Sequence, residues 1–414
     1  MLARWLGLAA LAAAAPILSG CAGTAVSGAE ATGSQLAIYS SLPLQGPTAG
    51  ISQQMVGGEK LALAEAGGHV GPHKIGFVSL DDSNPTSEQF SPGVTATDAK
   101  TAAQDTSTIA YIGDYNSAAT AVSLPLINAA GILQVSTASP YQGLTSSLDA
   151  GQDEPERFYP NGRRTFGRLQ PGDAVQAGAQ VQLMRSLGVR KLYVLDDEDP
   201  FEVPLASLVA GDAASAGITV AAHDSISTTT GATFTGEVEK IVKSEAQAVF
   251  FAGGDGPGPV ALWQALHSAD PHLLLLGSSS MASEEFTSQI GAAASTTYLT
   301  TPILPESFYP RSARRVLSDY RRQFGGEATP YVLYGYEAMS VVLDSIRRAR
   351  EHGNDRVAVI DRFFATRNRD SVLGRYSVQP NGETTLSRFG ADRVSAGGRL
   401  VFLRAIEVAP PAAG

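Results

Sequence analysis

The sequence predicts an α/β protein made of two doubly wound, Rossmann-like lobes, and three observations carry that expectation. From Gln35 onward, short apolar runs alternate with helix-length segments, the pattern of a parallel sheet covered by helices. Once an N-terminal export segment is set aside about 390 residues remain, more than one core usually holds, so two cores are expected. The alternation is interrupted by a polar stretch over residues 141–165 and restarts at Phe166, which suggests that the chain has there crossed into a second sheet.

Residues 1–20 read as a signal peptide: Arg4 gives the positive start, residues 5–18 are apolar, and small residues precede the cut. The run is shorter than the roughly 20 residues that span a bilayer as a helix. Leu18-Ser19-Gly20-Cys21 resembles the lipobox of bacterial lipoproteins, and Cys21 is the chain's only cysteine. That resemblance implies that Cys21 is acylated, becomes the first mature residue and moors the protein outside the cytoplasm. Several acyl chains would hold it, since one binds only marginally. Residues 21–34, mostly Gly, Ala, Ser and Thr with Glu30, read as a flexible tether. No cysteine remains for a disulfide, so stability must come from packing. The formal charge is −10, and −11 once the one positive charge of Arg4 is removed, with basic residues scattered; nucleic acid is excluded as a partner because phosphate binding needs a positive surface. No later segment reaches the apolar length of a membrane helix.

The expected strands are 36–40, 74–80, 108–112, 132–136, 191–195, 219–223, 248–251 and 273–276, with helices between them. Ile51, Met55, Gly58 and Ala62 recur at helical spacing, as do Ala313, Val316, Leu317, Tyr320 and Phe324. Val332, Tyr336, Met339, Leu343 and Ile346 mark a long helix opened near Pro330. Residues 141–165 form either a surface insertion or a lid. Near the C-terminus, 374–378 and 399–408, separated by Pro380-Asn381-Gly382, look like antiparallel strands around a turn.

Leu42-Pro43-Leu44-Gln45-Gly46-Pro47, Gly57-Gly58, the stretch from Leu61 to Ala66 and Asp81-Asp82 resemble the opening of the branched-chain amino-acid (Leu/Ile/Val) binding proteins of ABC importers. The order continues through Tyr111-Ile112-Gly113 and Ser117, residues 132–140, residues 249–254, Gly277-Ser278, Tyr298 to Pro302 and Tyr334 to Ala338. The resemblance implies the type I periplasmic binding protein fold, with two lobes joined by three crossovers. It places lobe 1 at 35–168 plus 303–372, lobe 2 at 169–302 plus 373–408, and a tail at 409–414. Ligand would lie between the lobes, outside the carboxyl ends of the strands, and be buried by hinge closure.

Ser117 stands at the start of a helix, where its hydroxyl and the unpaired backbone N–H groups suit a carboxylate or another acceptor, or serve as a plain cap that Asn116 could share. It matches the family's carboxylate-binding serine. Ala138 and Ser139 fall where relatives offer a backbone carbonyl, amide and hydroxyl, and otherwise form a polar turn. Phe201, closing the run Asp196-Asp197-Glu198-Asp199-Pro200, stands where relatives usually carry a ligand-contacting tyrosine, and reads as a pocket wall or a core aromatic. The family's ammonium-binding carboxylate falls on Ser279. A buried alkylammonium without a carboxylate is costly, so either Asp255 or Glu284 substitutes, or the ligand lacks a cationic amine, as a small amide, a carboxylic acid or a neutral metabolite would. Ile51 replaces an aromatic that relatives often use, and Tyr115 or Tyr141 could supply that surface.

No cofactor or metal is expected. The acidic run after residue 195 lacks the spaced oxygen ligands and turn glycine of a calcium loop, and Gly71 and Pro72 between His69 and His73 argue for a turn rather than a metal-binding helix. The glycines from 253 to 258 lack the Lys-Ser/Thr of a phosphate loop. No Gly-x-Ser-x-Gly elbow exists, and no enzyme is expected, although a hydrolase assembled from distant residues is the competing class that turnover would reveal. Arg311, Arg314, Arg315, Ser318 and Arg322 line one helix face, solvated or a docking patch. The expected function is a monomeric, lipid-anchored receptor that captures a small polar ligand and delivers it to the permease subunits of an ABC importer. A ligand-sensing or envelope-enzyme-regulating lipoprotein of the same fold is the alternative.

Overall fold

The computed structural model describes residues 30–84 and 90–409; the signal peptide, Cys21 and nearly all of the tail lie outside the described residues. The chain forms β1 (Leu36–Leu42), α1 (Ala49–Glu65), β2 (His69–Val70), β3 (His73–Asp81), α2 (Pro92–Gln104), β4 (Thr108–Gly113), α3 (Ser117–Ala129), β5 (Leu133–Ser136) and β6 (Phe166–Arg168). It continues as α4 (Asp173–Ser186), β7 (Lys191–Asp196), α5 (Val203–Ser215), β8 (Thr219–Ser225), α6 (Thr235–Lys243), β9 (Ala248–Ala252), α7 (Pro257–Ala269), β10 (Leu274–Gly277), α8 (Glu284–Gln289) and β11 (Thr297–Thr301). Three helices follow, α9 (Arg311–Phe324), α10 (Tyr331–Ala349) and α11 (Arg356–Phe364), and then β12 (Arg369–Ser371), β13 (Gly374–Tyr376), β14 (Arg388–Val394) and β15 (Leu400–Glu407).

Two parallel-rich sheets result, ordered β2-β3-β1-β4-β5-β6 and β15-β14-β11-β10-β9-β7-β8. Buried on both faces, their central strands are near-continuous apolar runs such as Leu192 to Leu195 and Ala248 to Ala252. The second sheet is packed on one side by α4 and α5 through Val181, Leu205 and Val209, and on the other by Trp263 and Phe286 of α7 and α8. In the first lobe α1 and α10 approach backbone to backbone: a Cβ on Gly335 would lie 1.9 Å from the Met55 carbonyl oxygen, and one on Gly58 would lie 2.1 Å from that of Val332.

All eight strands expected from the sequence are present. The C-terminal pairing differs from expectation: β13 pairs with β12 and β15 with β14, not with each other, because residues 369–371 and 388–394 were not read as strands. The turn at 380–382 exists, closed by an isolated bridge between Val378 and Thr384. Phe166 does restart the alternation, but within the first sheet, where β6 pairs with β5 in parallel. Residues 30–33 are not free spacer: Ala31 is buried, its amide donates to the Asn354 carbonyl at 2.7 Å, and the Thr32 amide donates to that of Thr106 at 2.9 Å. Val372, Leu373, Tyr376 and Val378 pack into the first core, so the chain rejoins the second sheet at Arg388, later than residue 373.

Residues 141–165 pack onto the first lobe as an insertion in which Leu144, Phe158 and Tyr159 bury against Leu124 and Phe166. The fully buried Arg168 pins this insertion. Its guanidinium donates to the carbonyls of Ser139 (2.5 Å) and Tyr141 (2.9 Å) and to Thr145 Oγ1 (2.6 Å), and it pairs with Glu383 at 2.9 Å.

Candidate functional site

In the first sheet β1 lies between β3 and β4, and in the second β7 lies between β8 and β9. At such switch points the connecting helices leave in opposite directions and open a crevice beyond the carboxyl ends of the strands. Eight of the residues the sequence singled out for ligand binding lie just beyond the carboxyl ends of strands, on loops or at the first residue of a helix or turn. Tyr115 and Ser117 follow β4, Ala138, Ser139 and Tyr141 follow β5, and Phe201, Asp255 and Ser279 follow β7, β9 and β10. The two sets meet across the lobes. The rings of Tyr141 and Phe201 pack edge to face with centroids 5.0 Å apart, and the charge of Asp255 is near enough to Tyr115 to add to the effects of burial and Tyr331 that raise its phenol.

The first-lobe wall is apolar with a helix terminus beside it. Ala138, Leu42, Met55 and Val56 form a small cluster flanked by Leu44, Ile51, Phe77, Tyr115 and Tyr331. Tyr331, first residue of α10, is a residue of this wall that sequence reasoning missed; it stands directly after Pro330 and packs against the same cluster as Ile51, where the absent family aromatic was sought. Ser117 opens α3, whose N-cap Asn116 makes no side-chain cap bond. The Ser117 hydroxyl accepts from the Tyr141 amide at 3.1 Å, leaving its own proton to donate, and the first N–H groups of the helix have no partner within it. Ser139 does not face a ligand. It is fully buried, its hydroxyl is shared with Thr120 Oγ1 (2.7 Å) and the Asp114 carbonyl (3.0 Å), and its carbonyl takes the Arg168 bond. The amides of Ala138 and Ser139 both turn inward to Ser136 Oγ. Of that pair only Ala138 belongs to the apolar wall. Tyr141 is buried, its hydroxyl donating to Glu154, so it presents ring rather than phenol oxygen.

The second-lobe wall is polar and acidic. Ser279 Oγ donates to Gln176 Oε1 at 3.0 Å. Its neighbour Ser280 donates to Glu202 Oε1 at 2.6 Å. Glu202, one residue beyond Phe201, was also missed because the acidic run was read only as far as the aromatic. Within that run, Asp197 Oδ2 accepts from the Gly254 amide at 2.9 Å, tying the β7 and β9 loops together. Glu284 is exposed in the first turn of α8. Among the described residues no group of three or more His, Cys, Asp or Glu is disposed to hold a metal ion, and no helix is long and apolar enough to cross a membrane. A separate cavity of about 230 Å³ lies at the crossovers, lined by Pro171, Pro302, Leu304, Tyr334, Leu373 and Arg388, and shares none of these wall residues.

Two α/β lobes whose loops meet beyond the carboxyl ends of both sheets are the architecture of a solute-binding protein of the periplasmic type. Residues 40–395 match the periplasmic binding protein family, and the chain belongs to it. Among solved structures, a leucine-binding protein, LivK, from Thermotoga maritima superposes with a TM-score of 0.72 at 19% identity, covering 90% of this chain and 99% of its own. LivJ from Streptococcus pneumoniae, a branched-chain amino acid transporter substrate-binding protein in complex with isoleucine, gives 0.69 at 16% identity, with 91% and 100% covered. A solute-binding protein of an ABC transporter from R. palustris in complex with benzoate gives 0.68 at 14%, with 91% and 97% covered. At these identities the likeness is one of fold. No curated protein matches the chain in sequence.

Proposed function

We propose that the protein is a lipid-anchored extracytoplasmic receptor that captures a small polar molecule between its lobes and passes it to an ABC importer. The observation that carries this reading is the meeting of loops from both sheets, Tyr141 against Phe201 and Tyr115 near Asp255, at the two switch points. A ligand touching both walls favours the closed form by its differential affinity for it, so capture is a population shift with no covalent step. Structural neighbours that hold isoleucine, leucine or benzoate support a ligand of that size. Thermal unfolding of the soluble form, residues 22–414, against amino acids, amides, organic acids and sugars tests it. A true ligand at a hundred times its dissociation constant adds about 2.7 kcal/mol, and a panel without any shift would refute capture. The anchor is tested separately: Cys21→Ala should move the protein from the membrane to the soluble fraction.

A further inference from the structure

The cavity at the crossovers is lined by every connection between the two sheets. Pro171 comes from the link between β6 and α4, Pro302 and Leu304 from that between β11 and α9, and Leu386 and Ser387 from the stretch between β13 and β14. Its floor is apolar, with Leu304, Tyr309, Tyr334 and Leu373 all buried. One polar group there has unused capacity. The Tyr309 hydroxyl accepts from the Leu304 amide at 3.2 Å, yet among the described residues its own proton has no acceptor. Burial raises this phenol, so it stays a donor. The Tyr334 hydroxyl, by contrast, donates to the Pro302 carbonyl at 3.2 Å.

The rim of the cavity is basic. Two guanidiniums, Arg375 and Arg388, stand against one lining carboxylate, Glu407, and leave a net positive charge that suits a monoanion. Arg388 Nε lies 3.5 Å from Glu407 Oε2 and Arg375 Nε 3.9 Å from Asp370 Oδ1, and among the described residues neither guanidinium makes a hydrogen bond. Their forks are open to a planar carboxylate. Phe308, also of the lining, is 41% exposed, its ring centroid 5.1 Å from that of Phe402 on β15. The volume of about 230 Å³ sets the size of an occupant. An apolar cavity of about 150 Å³ takes up benzene, so a single ring with a carboxylate fits here and a lipid with its acyl chains does not. We propose that this cavity is a second ligand site, distinct from the cleft, for a compact cyclic monocarboxylate. Its carboxylate pairs with Arg375 and Arg388, its ring lies on Leu304, Leu373 and Leu386, and the Tyr309 hydroxyl donates to it. Because all the connections between the sheets line the cavity, a change of lobe angle alters its shape, and an occupant favours one angle over others. This coupling rests on the capture reading: occupants of the cleft and of the cavity change each other's affinity by one common factor.

The site is tested by titration calorimetry on the full chain in lipid nanodiscs, with empty discs as the blank and benzoate and cyclohexanecarboxylate set against benzamide and cyclohexanecarboxamide. Both carboxylates should bind about tenfold or more tightly than their amides. The double variant Arg375→Gln, Arg388→Gln should abolish that difference without moving the melting temperature, since exposed ion pairs contribute little. Tyr309→Phe should weaken benzoate by a smaller factor, about threefold, and Ser117→Ala, in the cleft, should leave it unchanged. Absence of binding by both carboxylates, equal binding of acid and amide, or a preference that survives the double variant overturns the assignment and leaves capture intact. Loss of benzoate binding in Ser117→Ala would place the probe in the cleft and overturn it as well. The coupling is read with a ligand from the thermal screen, whose Kd should change by about twofold or more under saturating benzoate in wild type and not in the double variant. An unchanged Kd in wild type overturns the coupling, and a screen without any ligand removes it together with capture.

Discussion

Asp82 in the first lobe and Asp196 in the second both mark the carboxyl end of a strand and both are fully buried, yet their surroundings are opposite. Neither oxygen of Asp82 has a partner, and burial, followed by the charges of Asp114, Asp98 and Asp81, pushes its carboxyl up to about 8. Asp196 accepts from His223 Nε2 (2.9 Å), the Glu198 amide (3.0 Å) and Ser225 Oγ (3.1 Å), and these bonds outweigh burial and hold it below the ordinary range. Near pH 7 the floor of the first lobe thus keeps its proton, as Asp114 (about 7) and Glu59 (about 8) partly do for the same reason, burial. In the second lobe Asp196 stays charged through these bonds, whereas Asp173, buried at the start of α4, is pushed up by burial and then by Glu202. The comparison teaches that depth alone does not set a carboxylate's charge: three donors keep Asp196 ionised where Asp82, equally buried and without any, holds its proton.

The largest expected effect comes from turning a paired carboxylate into an unpaired one. Glu337 is buried and bonded to Arg369 Nε at 2.6 Å and Tyr376 OH at 2.9 Å. Arg369→Met should cost about 3–5 kcal/mol in urea unfolding, since it strands a buried charge. A loss below about 1 kcal/mol would mean that the protein tolerates orphaned carboxylates everywhere, and the contrast between lobes would lose its meaning. Asp82→Asn should act in the other direction. Below about pH 4 the folded and unfolded chains both protonate this group; above it the unfolded chain ionises while the folded one holds its proton. Stability should therefore fall as pH rises from 5 to 8, by about 4 kcal/mol for this residue, and the Asn variant should make that profile shallower. Asp196, with a lowered pKa, loses its contribution only as pH falls below about 4. An unchanged slope between pH 5 and 8 in Asp82→Asn would contradict the raised carboxyl.

The sheets were legible because their strands are apolar runs bounded by helix-length segments, a signal that survives without knowledge of partners. The antiparallel end was not: Arg388-Phe389-Gly390-Ala391-Asp392 carries charge and glycine, and acquires strand character by lying between β11 and β15. In the candidate site, the loops could be found by counting residues from strand ends, which put Tyr115, Ser117, Phe201 and Asp255 just beyond β4, β7 and β9. Side-chain direction could not. Ser139 is turned inward by Ser136 and by Arg168, 29 residues further on and on another strand, and Glu202 turns toward Ser280 from a loop 78 positions earlier. Tyr331 reaches the wall only because Gly58 and Gly335 let α1 and α10 touch, a contact between segments that no local pattern reports.

The smallest expected effect is the sharpest test of the donor side of the comparison. Ser117→Ala removes the acceptor of the Tyr141 amide, a half-buried bond of 3.1 Å, so the fold should lose no more than about 1 kcal/mol. The same substitution deletes the one side-chain hydroxyl that α3 presents beside its unpaired N–H groups. Affinity for a ligand identified in the thermal screen should drop by about five- to tenfold, with the ranking of ligands unchanged, because the hydroxyl holds an acceptor common to all of them. A Ser117→Ala variant that reorders the ligands would mean that this hydroxyl reads a group they do not share.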